Sequence, residues 1–171
     1  MNCVAIGALG EVLGGIAVVA SLVYLAAQVR QNTRAMNAAT ADSVVRSIRE
    51  FLQPIIADQE VAWIFRTGIE GMDDLDEDQQ ARFLHMLFSW LKTVENAHYQ
   101  YLQNTMTSDV WAGWRGLCVA YVTSPGVQAY WKMRRDAFSP AFQEFVDSID
   151  ETTVMPRVAQ MVGSPGTAAD R

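Results

Sequence analysis

From Gly10 to Arg30 the chain reads GEVLGGIAVVASLVYLAAQVR, and apolar side chains fall on every face of a helix drawn through it. Leu13, Ile16, Val18, Val19, Leu22 and Val23 share no single stripe. A helix packed on a soluble core keeps one polar face. Eighteen residues, Val12 to Val29, carry no charge. At about 1.5 Å per residue that run matches the roughly 30 Å of hydrocarbon in a bilayer. The pattern predicts a transmembrane anchor over residues 1–29. No Lys or Arg precedes the run, and YLAAQVRQNTR continues in helical style, which favours a retained anchor over a cleaved signal peptide.

Beyond Arg30 the apolar spacing changes to that of an amphipathic helix, with Ala38, Ala41, Val45, Ile48 and Leu52 on one face. One continuous helix is predicted from about Val4 to Gln53, with Pro54 ending or kinking it. A short helix follows from Gln59 to Gly68, the glycine serving as a stop. The longest helix of the body is predicted from Glu77 to Asn104. Its stripe Leu84, Leu87, Leu91, Val94, His98 and Tyr101 runs at 3-4 spacing, widened by Phe83 and Trp90. Two more helices are expected over 108–123 and 125–138, and a last one from Pro140 to about Glu151. Ser124-Pro125 and Ser139-Pro140 each read as a cap followed by proline in the first turn. No segment alternates as a strand does. The fold class is therefore all-α: a single N-terminal transmembrane helix continuing into a cytoplasmic helical bundle over 30–151. The Pro/Gly/Ala-rich tail 152–171 is expected to be disordered.

The first helix carries a second pattern. Gly7, Gly10, Gly14, Ala17 and Ser21 recur at 3-4 spacing, followed in register by Tyr24 and Gln28. Lipid offers no hydrophobic drive for helices to associate, so small residues that permit close backbone approach mark an oligomer interface. A homo-oligomer through this seam is expected, with the lipid bilayer as the other partner. Glu11 borders the seam near the outer end of the span. Arg30, Arg34, Arg46 and Arg49 follow the span, against Asp42 and Glu50 alone, so the positive-inside bias keeps the C-terminal body in the cytoplasm and the N-terminus outside.

Charge and chemistry narrow the remainder. The 171 residues carry a net charge of -6, which argues against a nucleic-acid partner. Cys3 and Cys118 show no disulfide or zinc spacing. The run EGMDDLDEDQQ holds six acids from Glu70 to Asp78 but lacks the register of a calcium loop, and Asp76 is placed to cap the following helix. Glu95 and His98 form Glu-x-x-His, the unit used twice by di-iron bundles. The other histidine, His85, lies thirteen residues earlier and turns to roughly the opposite side, so no metal and no cofactor is expected.

No nucleophile motif or phosphate loop is present, and no catalytic residue is assigned; the balance leans away from an enzyme. Cys118, in GLCVAYV, reads as a packed thiol. Glu95, His98, Tyr99, Trp111 and Trp114 remain as candidate ligand-binding residues, because WAGW sets two indoles on one face with Gly113 between them allowing close approach. Lys132, Arg134 and Arg135 read as solvated charges balancing the acidic loop.

GALGEVLGGIAVVASLVYLAAQVRQNTR, ENAHYQY, WAGW and AFSPAFQEFVD together resemble an uncharacterised family of small bacterial membrane proteins with one N-terminal span and a helical body. The resemblance covers about residues 5–150, and its most specific part is the span running into QNTR. It implies a bacterial inner membrane location and draws attention to Glu95, Asn96, His98 and Tyr99, without implying an activity. Two functional readings follow. One is a membrane-tethered interaction or scaffold protein that self-associates through its seam. The alternative is a membrane-anchored ligand-sensing domain with an aromatic and His-Glu pocket.

Overall fold

A computed structural model describes the backbone of residues 3–149 and the side chains of Glu11 and residues 13–149. The chain is all-α, with no strand among the described residues. Among the described residues six α-helices follow one another: α1 (Cys3–Ala57), α2 (Gln59–Glu70), α3 (Glu77–Leu102), α4 (Ser108–Val122), α5 (Pro125–Arg134) and α6 (Pro140–Asp147), with a 3-10 turn at Arg135–Ala137 before the last. The expected tail at 152–171 lies outside the described residues. The chain divides into two compact units, Met1–Ala39 and Thr40–Arg171.

In the first unit α1 is long and apolar enough to cross a membrane, with a window of mean hydropathy 1.6 that is 0% buried. Glu11 and every residue from Leu13 to Met36 are exposed. In the second unit the rest of α1 acts as an ordinary amphipathic helix. Its buried positions are Val44 and Phe51, with Ile48, Leu52 and Ile55 packed against the core. The face is rotated by one residue from the expected Ala38–Val45 stripe: Val45 stays 47% exposed, whereas Val44 is sealed. Adjacent valines give the pattern no way to choose between them; contact with Ala97, Met106 and Trp111 does. Pro54 does not end this helix, which runs on to Ala57. Helical bonding continues to Asp58, whose N–H donates to the Pro54 carbonyl at 3.1 Å. The missing proline N–H removes one bond and leaves the last turn intact.

Asp58 then caps α2, accepting from the N–H groups of Glu60 and Val61. Gly68 is not the stop. It is buried inside α2, where a Cβ would run into the Phe83 ring, and the helix closes at Gly71. Asp76 caps α3 as expected and forms a reciprocal capping box with Gln79. The acidic loop is tied down by the Gln80 amide, which donates to the carbonyls of Met72 and Leu75.

Helix α3 is the central element and packs against α2, α4 and α6. Phe83, Leu87, Trp90, Leu91, Val94, Ala97 and His98 are all buried along it. The stripe runs through most of a 26-residue helix and is shared among three shorter ones, of 12, 15 and 8 residues. Helix α5 packs on α2 at a closer distance still: a Cβ on Gly126 would strike the Gly68 carbonyl oxygen. Ser124 and Ser139 do occupy the cap positions of α5 and α6, ahead of their prolines, but neither hydroxyl bonds the helix it opens. Gly113 permits no close approach, since a Cβ there meets open space.

These glycines make a paired test. Gly126→Ala should lower the unfolding free energy by about 1–3 kcal/mol, because backbone cannot retreat from the added methyl. Gly113→Ala should raise it by up to about 1 kcal/mol through helix propensity alone. Urea unfolding of the full chain in detergent, followed by tryptophan emission, measures both; equal effects would deny the α2–α5 contact.

Candidate functional site

The residues singled out around ENAHYQY and WAGW do not form one group. His98, on α3, and Trp111, on α4, come together with ring centroids 5.1 Å apart. Phe145 of α6 stacks on His98 at 5.0 Å and 23°, and Phe142 approaches to 5.9 Å. Tyr101 also stacks on Trp111, at 5.5 Å and 14°. His98 is 8% exposed and Trp111 7%, so this cage is filled by its own side chains. Trp114 is half-buried against the same core. Tyr99 points away, 56% exposed. Asn96 accepts from the Gln100 amide at 3.4 Å and lines a depression of about 700 Å³ between the end of α1 and α3. None of the caged rings lines that depression.

Glu95 also leaves the cage. Its Oε2 accepts from Lys92 Nζ at 2.7 Å and its Oε1 from the Ser139 backbone N–H at 2.6 Å. Lys92 donates again to the Ala137 carbonyl at 2.7 Å and sits 4.7 Å over the Phe138 ring. One turn of α3 therefore grips the segment that opens α6. Burial pushes the Glu95 carboxyl up, but the bonds from Lys92 and Ser139 together outweigh it and hold it below the usual carboxylate range. Glu95 reaches His98 only as a nearby charge. Burial lowers the imidazole and Glu95 partly opposes that.

The far end of α6 is held by another carboxylate that the sequence reading missed. Asp147 accepts from Arg135 Nε at 2.9 Å and Nη2 at 2.5 Å, and from Trp131 Nε1 at 2.9 Å. The Arg135 bonds, and then the indole bond, hold Asp147 below its ordinary value. Arg135 is thus not a charge balancing the acidic loop: it is paired with α6. The i, i+12 spacing of Arg135 and Asp147 gave no local signal, because the pair forms only after α6 folds back.

Cys118 is sealed, and burial pushes its thiol up to about 12, which suits packing and not nucleophilic attack. Of the seam residues, Gly14, Ala17 and Ser21 are exposed; Ser21 Oγ donates back to the Ala17 carbonyl at 2.8 Å. Gly7 and Gly10 lie outside the described side chains. No family model, curated protein or solved structure matches this chain.

Two predictions follow from the grip on α6. Glu95→Ala removes the acceptor of the Ser139 N–H and one of the two acceptors of Lys92, and should cost about 1–3 kcal/mol in urea unfolding. The pH dependence has a definite sign. A histidine depressed in the folded state gives stability that is full above its unfolded value near 6.5 and declines as pH falls below it. Glu95 and Asp147 extend the loss below about pH 4.3. His98→Phe should flatten the upper limb and leave the lower one, as read by unfolding midpoints across pH 3–8; an unchanged upper limb would contradict the assignment.

Proposed function

We propose that the chain is a membrane-tethered interaction or scaffold protein that self-associates through its first helix. One observation carries the reading. The helix that opens the chain keeps apolar side chains exposed around its whole circumference, among them Leu13 at 64%, Val18 at 59% and Val23 at 65%. Each fully exposed Leu or Val forgoes roughly 1.5–3 kcal/mol of transfer free energy in water. Hydrocarbon covers all of these faces at once, and the length of the run fits a bilayer.

The arginines at 30, 34, 46 and 49 support an orientation with the body on the cytoplasmic side of a bacterial inner membrane. The exposed small positions Gly14, Ala17 and Ser21 support association of like helices: the Ser21 hydroxyl is satisfied within its own helix, so the face presents little beyond backbone and methyl groups. The sealed state of the His98–Trp111 cage supports this reading over ligand sensing at that place.

Two measurements test the proposal. Full-length chain should remain with membranes through carbonate washing; recovery of intact chain in the supernatant refutes the anchor. Gly14→Ile, alone and with Gly10→Ile, should reduce the oligomer to a smaller species in detergent ultracentrifugation, whereas Val19→Ile should not. An assembly indifferent to both glycine changes refutes the seam while leaving the anchor standing.

A further inference from the structure

A second depression, of about 360 Å³, opens between α3, α5 and the 3-10 turn. Leu84, Phe88 and Ala137 supply its apolar wall, and His85, Tyr130 and Arg134 its polar groups. Its lining contains no carboxylate. Tyr130 is 3% exposed, yet its hydroxyl takes no hydrogen bond from any described residue. Among the described residues no fully sealed side-chain N or O lacks a partner, so that hydroxyl keeps contact with solvent, and Tyr130 lines the depression.

Arg134 lies one helical turn further along and close enough to act on the phenol electrostatically. Unlike Arg135, it has no ion pair among the described residues. The His85 Nδ1 donates to the Ala81 carbonyl at 2.6 Å, which holds the ring against its own helix at the rim of the depression.

The geometry points to a binding site for a small carboxylate carried on an apolar body, with Arg134 taking the carboxylate and the Tyr130 hydroxyl donating to it. Guanidinium and carboxylate match in planar, two-bond geometry, and a phenol supplies the further donor an anion needs. Phe88, 41% exposed, offers a ring face for the body of the ligand. At about 30 Å³ per water-sized group the volume holds about a dozen heavy atoms, which suits an aryl-alkanoate. Burial holds the phenol in its neutral, donating form, with Arg134 opposing only in part. The site shares no residue with the His98–Trp111 cage and does not depend on how the first helix associates.

Calorimetric titration of the full chain in zwitterionic nanodiscs with 3-phenylpropionate tests this, with 3-phenylpropionamide as the uncharged counterpart. Saturable binding of the acid, at least about tenfold tighter than the amide, is expected. Arg134→Gln should weaken the acid about tenfold or more, and Tyr130→Phe several-fold, while Arg82→Gln, which removes a cation paired with Glu60 elsewhere on α3, should leave it unchanged. Circular dichroism confirms that each variant is folded, and the acid-against-amide comparison needs no variant at all. The inference is overturned by an absence of saturable heat up to about 10 mM. Equal binding of acid and amide, or full binding by folded Arg134→Gln, overturns it equally.

Discussion

The second unit depends on burying one long apolar stripe, that of α3. Its sealed apolar positions run from Phe83 to His98, Trp90, Leu91 and Val94 among them, on one face about 120° wide at roughly 100° per residue. No single neighbour is long enough to cover it. The stripe recruits α2, α4 and α6, and the order in which those helices follow is set by the short capped turns between them. The edge of the stripe that remains polar is put to structural use: Lys92 and Glu95, one turn apart, hold the backbone at Ala137 and Ser139.

Helix α6 shows why such attachments matter. Eight residues are too few to be helical alone in water. Phe142 and Val146 give it a buried face, and two carboxylates, Glu95 at its start and Asp147 near its end, fix where that face lands. Both carboxylates accept from more than one donor, which is why both are held in the ionised form. The histidine between them has the opposite preference. Caged by Trp111, Phe142 and Phe145, it favours the neutral ring. Glu95 and His98 look like a functional dyad by spacing; in space they serve different contacts.

The first unit poses a different physical problem, because its described apolar side chains from Leu13 to Met36 lie exposed. A helix exposed on all sides is stable in water only at great cost, and in hydrocarbon at none. The same segment carries the small-residue register. Anchor and association surface are thus proposed for one stretch of chain, while the body keeps Arg134, Tyr130 and His85 around an open depression of its own.

By itself the sequence determined the helical class, the apolar character of the opening helix, the Asp76 cap and the central stripe of α3, because all of these are local: they rest on spacing within one helix or on a cap three residues from its partner. It did not determine which of Val44 and Val45 faces inward, since adjacent apolar residues are equivalent until a neighbour arrives. Nor did it determine that Gly68 admits the Phe83 ring and lends its carbonyl to the approach of Gly126, instead of ending a helix. Glu95 to Ser139, Arg135 to Asp147 and the company of Arg134 and Tyr130 with His85 were likewise decided by the tertiary structure. Each joins residues whose proximity depends on how α3, α5 and α6 pack, and periodicity along one helix carries no information about the face of another.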